Sequence, residues 1–129
     1  MTLLPVTLSN AGPLSSDILS LEVTEYPSGV RVVTVMGEID ALTAPDLNAL
    51  LTAQLVAGQV VVVNLDAVRF MGSAGLAALF EANQFALREG LDLRLVCNSQ
   101  TVGWALDATG LKEHFAIADT VPDALMGSC

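Results

Sequence analysis

The chain has 129 residues, the size of one domain, with 53% apolar and 15% charged residues, a composition that excludes a disordered segment. Acidic residues outnumber basic ones 14 to 5, giving a formal charge of −9. The basic residues Arg31, Arg69, Arg88, Arg94 and Lys112 are scattered, so neither a nucleic-acid backbone nor an anionic membrane finds a cationic surface here. So little charge points to apolar surface that meets a partner, and the acidic field would steer a basic one.

The first residues, MTLLPVTLSNAGPLSS, have no basic leader and are broken by Pro5, Asn10 and Pro13, so they do not read as a signal peptide. Residues 1–18 are expected to be a flexible tail and 19–129 the folded domain. Residues 21–24 alternate like a strand, Pro27-Ser28-Gly29 is a turn, and the β-branched stretch 30–36 is a second strand, so the pair reads as a hairpin. Residues 44–57 place Leu47, Leu50, Leu51 and Leu55 on one helical face, with Thr43 as cap, Pro45 in the first turn and Gly58 as terminator. Val60 to Val63 form a continuous apolar run, the mark of a strand covered on both sides. The uncharged run 47–65 carries Asn48, Thr52, Gln54, Gln59 and Asn64, too many polar groups for a membrane span.

A second helix is expected over 74–88 with Leu76, Leu79, Phe80 and Leu87 inward, closed by Gly90. Residues 91–96 read as a strand, and 100–108 as a helix capped by Ser99 and ended at Gly110, a left-handed C′ position. A short strand over 115–118 and a short helix over 122–126 follow. This order predicts an α/β domain whose mixed, mostly parallel sheet has four to five strands and about four helices. Partners of such sheets meet the loops at the C-terminal strand ends, here 37–43 and 66–74.

Three ordered segments carry a family resemblance. The first is Val35-Met36-Gly37-Glu38-Ile39-Asp40-Ala41-Leu42-Thr43-Ala44. The second is 60–79, VVVVNLDAVRFMGSAGLAAL, whose turn is Phe70-Met71-Gly72-Ser73-Ala74-Gly75-Leu76. The third is Ala105-Leu106, Thr109-Gly110-Leu111 and Phe115. Together, over about residues 20–126, they resemble the STAS family, and within it the anti-anti-sigma factors.

That resemblance implies the STAS fold and a cytoplasmic bacterial binding protein, not an enzyme. Its partner would be an anti-sigma factor that is itself a serine kinase, and binding would release a sigma factor for transcription. The kinase would phosphorylate Ser73 and end the binding, and a phosphatase would restore it. The partner surface implied is Gly37, Glu38, Asp40, Thr43, Met71, Gly72, Ser73, Ala74, Gly75 and Leu76. Gly72 stands where the family's turn carries Asp.

From residue chemistry alone, other readings stay open. Ser73 also reads as an ordinary N-cap and Asp40 as a solvated loop acid or a cap for the following helix. Phe85 falls opposite Leu76 and Leu87 on a helical wheel; it is either an exposed partner contact or is covered by another element. Cys97 and Cys129 form no CxxC, which favours a reduced compartment. They would make a redox switch only if they can approach, and otherwise are a half-buried small residue and a terminal thiol. Among rival functions, Met71-Gly72-Ser73-Ala74-Gly75 resembles a nucleophile elbow with Asp107 and His114 downstream, but Met71 stands where the elbow needs Gly. A STAS scaffold subunit of a transporter or stress complex, without a phospho-switch, is the other rival. No metal-ligand spacing or phosphate loop is present, so no metal and no cofactor is expected.

Overall fold

An apolar run without alternation needs cover on both faces, and residues 60–63 have it. In the computed structural model, which describes residues 6–9 and 19–126, this run opens a 12-residue strand near the middle of the sheet. The strands are β1 (Val6–Ser9), β2 (Leu19–Glu25), β3 (Arg31–Ile39), β4 (Val60–Met71), β5 (Asp92–Val96) and β6 (Ala116–Ala118). They lie side by side in chain order. The pairs among β1, β2 and β3 are antiparallel, and those from β3 to β6 are parallel. Parallel neighbours require crossovers. Helices α1 (Ala44–Gly58), α2 (Ser73–Glu89) and α3 (Gln100–Thr109) supply them, and α4 (Val121–Met126) closes the described chain.

The period-two geometry of the strands sorts the core into two layers. Val33, Val35, Val61, Val63, Leu93 and Leu95 point to one side, where Leu47, Leu51 and Leu55 of α1, Leu79 of α2, and Val102 and Leu106 of α3 bury against them. The intervening Val32, Val62 and Val96 point to the other side, where Ala124 of α4 covers them. Arg94 also faces that side and is buried. Its Nη1 donates to the Ala124 carbonyl at 2.6 Å, and its Nη2 to Asp92 Oδ2 at 2.6 Å, so one cation ties α4 to β5.

Several expectations need correction. Val6–Ser9, read as tail, is a strand paired with β2, which raises the strand count to six among the described residues; the rest of the 1–18 segment lies outside them. The loop 66–74 is mostly strand, and the loop 37–43 is strand over its first three residues, because β3 and β4 pair as far as Ile39 and Met71. Gly58 stays helical and Gln59 takes the left-handed conformation, φ 68°. Glycine serves at 58 because the Arg31 side chain crosses it; a Cβ there would lie 2.9 Å from Arg31 Cδ. Leu87 is exposed and Phe85 half-buried, the reverse of the helical-wheel reading. The buried face of α2 is Gly75, Leu76, Ala78, Leu79, Ala82, Asn83 and Ala86, so Leu76 and Leu79 face inward as expected, and small residues rather than Leu87 continue the stripe.

Replacing Arg94 by Ala removes the charge-assisted bonds that hold α4 and should lower unfolding stability by about 2 kcal/mol in urea titration. An unchanged midpoint would mean that α4 is held by its apolar contacts alone.

Candidate functional site

The site forms where β3 and β4 end together. Ile39 pairs with Met71, and the Gly72 N–H donates to the Ile39 carbonyl at 3.0 Å, so the 40–43 turn and the start of α2 are locked side by side. Two register shifts in the β3–β4 ladder, each with an extra residue on β4, produce this arrangement. The second shift falls at Gly37 and Glu38, and Gly37 adopts φ 105°, which favours glycine. Because of the shifts, Val68 and Met71 are both buried although three residues apart, and Arg69 and Phe70 both turn outward.

In the 40–43 turn, Asp40 Oδ1 accepts the N–H of Leu42 at 2.9 Å and of Thr43 at 3.0 Å. Thr43 Oγ1 accepts the Asp40 N–H at 2.9 Å. The Ala44 N–H donates to the Asp40 carbonyl, so Asp40 caps the turn that leads into α1. Thr43, expected to be that cap, makes no side-chain cap bond to the helix; its hydroxyl is spent on Asp40. The Thr43 N–H is the largest influence on the Asp40 carboxyl and holds it below its ordinary value, against an opposing desolvation.

Ser73 is the first residue of α2, and Gly72 takes the N-cap position in extended conformation, so the N-cap reading of Ser73 is replaced. The Ser73 side chain is exposed and has no hydrogen-bond partner among the described residues. At a helix start, the N–H groups of Ser73 and Ala74 have no intrahelical acceptor. The Gly75 and Leu76 N–H groups both turn back to the Gly72 carbonyl, at 3.0 and 3.2 Å. Gly75 lies against the strand end: a Cβ there would sit 2.7 Å from Ile39 Cγ2.

These placements divide the surface inferred from sequence. Glu38 and Ser73 are exposed, and Gly37, Asp40, Gly72 and Ala74 are half-buried. Thr43, Met71, Gly75 and Leu76 are buried, so they support that surface rather than form it. Sequence reasoning missed Leu42, 82% exposed in the turn, and Phe70, 50% exposed at the end of β4. Leu42 between polar and small residues was a legible signal; Phe70 depends on the bulge. Phe85 sits three turns along α2, half-buried against the core, and lines a depression between α1 and α2.

The elbow-type triad is not assembled. Asp107 pairs with Lys112 at 3.7 Å, and the His114 ring packs edge-on against Phe80, two turns along α2 from Ser73. Burial is the largest influence on the Cys97 thiol and pushes it up, which lowers its thiolate content; Cys129 lies outside the described residues. No group of His, Cys, Asp and Glu suited to a metal ion occurs among the described residues, and no helix there is long and apolar enough to cross a membrane.

The fold is a mixed sheet with a capped turn and a helix-opening serine at the ends of the adjacent parallel strands β3 and β4. The STAS-domain profile matches residues 21–124, and the chain belongs to that family. It is 31% identical over 113 residues to the anti-sigma-F factor antagonist RsfA of Mycobacterium tuberculosis, covering 85% of this chain and 88% of that protein. The crystal structure of an anti-sigma factor antagonist from Mycobacterium paratuberculosis superposes with a TM-score of 0.76 at 32% identity, covering 93% of this chain and 97% of that one. The anti-sigma factor antagonist SpoIIAA in its unphosphorylated form shares the fold, with a TM-score of 0.68 at 18% identity over 85% of this chain and 99% of that one.

Two consequences are measurable. Gly75→Ala should cost about 1–2 kcal/mol, because the methyl meets a β-branched side chain that cannot retreat. Gly72→Asp should lie within about 0.5 kcal/mol of the native chain: φ is −83° and a Cβ there finds Phe70 at 3.4 Å, ordinary contact. Asp40 sets a pH dependence. Its folded-state pKa is lowered, so the stability it adds is present above its unfolded pKa and lost as pH falls through the folded one. The stability gap between native and Asp40→Ala chains should therefore be full at pH 7 and close in acid, as read by denaturant titration at a series of pH values.

Proposed function

We propose that this chain is an anti-sigma-factor antagonist: it docks an anti-sigma factor of the serine-kinase type, thereby frees a sigma factor for transcription, and is switched off when that kinase phosphorylates Ser73. A phosphatase would restore the binding state. The protein acts in the cytoplasm as a binding module rather than as an enzyme.

The observation that carries this reading is the exposed, unpartnered Ser73 hydroxyl on the first residue of α2, at an end of the domain where Leu42 of the 40–43 turn and Phe70 of β4 are also exposed. A kinase can reach such a hydroxyl without unfolding anything. The phosphate would gain from the free N–H groups and the helix dipole, so the domain should tolerate it. Docking should not. Phosphorylation adds about −1.5 to −2 charge, and burying that charge under a partner strips its hydration. Glu38 and Asp40, with Arg69 the exposed cation of β4, already sit at this end of the sheet, and a phosphate adds a further anion that repels any acidic group on the partner. The identity to curated antagonists across most of the chain supports the same assignment.

Candidate anti-sigma kinases incubated with ATP and the native chain should place one phosphate on Ser73, located by mass spectrometry, and none on Ser73→Ala. Ser73→Ala should bind like the native chain and Ser73→Glu should lose binding. Leu42→Ala and Phe70→Ala should each weaken binding about tenfold, as apolar anchors at the rim of the switch. Binding that is indifferent to Ser73→Glu, with no phosphate on the native chain, would favour a scaffold role instead.

A further inference from the structure

The cations of this chain are few, and most are already engaged. Arg31 pairs with Glu25 at 3.1 Å, Arg94 with Asp92 at 2.6 Å and Lys112 with Asp107 at 3.7 Å. Arg69 and Arg88 make no ion pair or side-chain hydrogen bond among the described residues. Arg88 stands near the far end of α2, about 22 Å from Ser73. Arg69, three residues before the serine helix begins to form at Gly72, is the unengaged cation at this end of the sheet among the described residues.

The β3–β4 ladder sets its direction. Val68 pairs with Gly37 and Phe70 with Glu38, so Arg69 is the extra residue of the bulge. A bulge re-aims a side chain out of its strand's alternation. Arg69 and Ser73 are both exposed. Four residues of fully extended chain span at most about 14 Å, and the turn from β4 into α2 shortens that span. A guanidinium on its long stem and a phosphoseryl group together bridge it. The anions at this end are Glu38 on β3, Asp40 in the turn and Asp46 in the first turn of α1. Asp40 Oδ1 is held by two backbone N–H groups, and Asp66, further back on β4, by the Asn98 N–H at 2.8 Å. No charged residue follows Ser73 on α2 until Glu81, about 12 Å along.

We propose that Arg69 is the ion-pair partner of phosphorylated Ser73. This deepens the switch reading and rests on it. A phosphoserine loses its second proton at about pH 6. Anions such as Glu38 and Asp40 push that step up, toward neutral pH, and a facing guanidinium pulls it down. Arg69 thus keeps the phosphate doubly charged at neutral pH, and its planar fork fixes where the phosphate stands. One guanidinium against two negative charges leaves the pair anionic, so docking is still opposed. The switched-off state then does not fade with a small fall in pH.

The test follows the ³¹P resonance of phospho-Ser73 against pH in the full chain. Phosphoserine is incorporated at position 73 during translation, so no kinase is needed. In Arg69→Gln the second ionisation should lie about half a pH unit or more above that of the otherwise native phospho-chain. Arg69→Lys should stay close to the native value, and high salt should shrink the difference. Lys112→Gln, which removes a cation paired elsewhere, should titrate like the native phospho-chain. Arg69 and Lys112 are exposed, so melting curves should show every variant folded. Equal titration with and without Arg69, or an equal rise in Lys112→Gln, overturns the pairing and leaves the serine reading standing. A kinase assay that never modifies Ser73 overturns the serine reading, and the pairing falls with it.

Discussion

The hydrogen bond from the Gly72 N–H to the Ile39 carbonyl holds the functional end of this protein together. It closes the parallel ladder between β3 and β4 at the point where each strand gives way to a helix. Gly75 packs against Ile39 on the next turn, so the same strand end anchors α2 sterically. From that junction the 40–43 turn and the α2 start are placed side by side with no freedom of their own. A modification at Ser73 thus meets a surface already built. Parallel α/β sheets offer such junctions wherever adjacent strands end together, and this one is extended by the length of β4.

The sequence made some of this visible and hid the rest for physical reasons. The four valines of 60–63 announced a central strand, because only two-sided burial removes alternation. Gly90 and Gly110 announced helix ends through the left-handed backbone both adopt, φ 70° and 73°. The 40–43 turn and the Ser73 turn were legible as motifs. Their burial was not. Thr43, Met71, Gly75 and Leu76 belong to the same short segments as Glu38 and Ser73, yet they face the core. In β4 the bulges decide that Met71 faces in and Phe70 out, and a bulge leaves little trace in composition. The second half of α2 misled for another reason: past Leu76 and Leu79, which face inward as expected, the buried face is carried by Ala82, Asn83 and Ala86, which hydrophobic patterning weights least. At Gly58, the reason for glycine is a side chain from a strand twenty-seven residues earlier, a contact beyond any local pattern.

The electrostatics follow the same division between structure and surface. Asp40 is ionised where it does local work, satisfying two backbone N–H groups at the mouth of α1. Arg94 is buried where its charge ties α4 to the sheet. Ser73 carries an exposed hydroxyl with no hydrogen-bond partner among the described residues, at an end where Leu42 and Phe70 are also exposed. A charge placed there can change what the domain binds without changing what the domain is. That separation would suit the proposed switch, in which each cycle would leave the fold and its stability intact.

The most direct test of this account compares ¹⁵N–¹H spectra of the native chain before and after phosphorylation at Ser73. The account predicts amide shifts confined to residues 38–44 and 70–78, with the rest of the sheet and α4 unmoved and the melting temperature essentially unchanged. Shifts that spread through β5, α3 and α4, or loss of dispersion, would contradict it, because the phosphate would then act by remodelling the domain rather than by altering its docking surface.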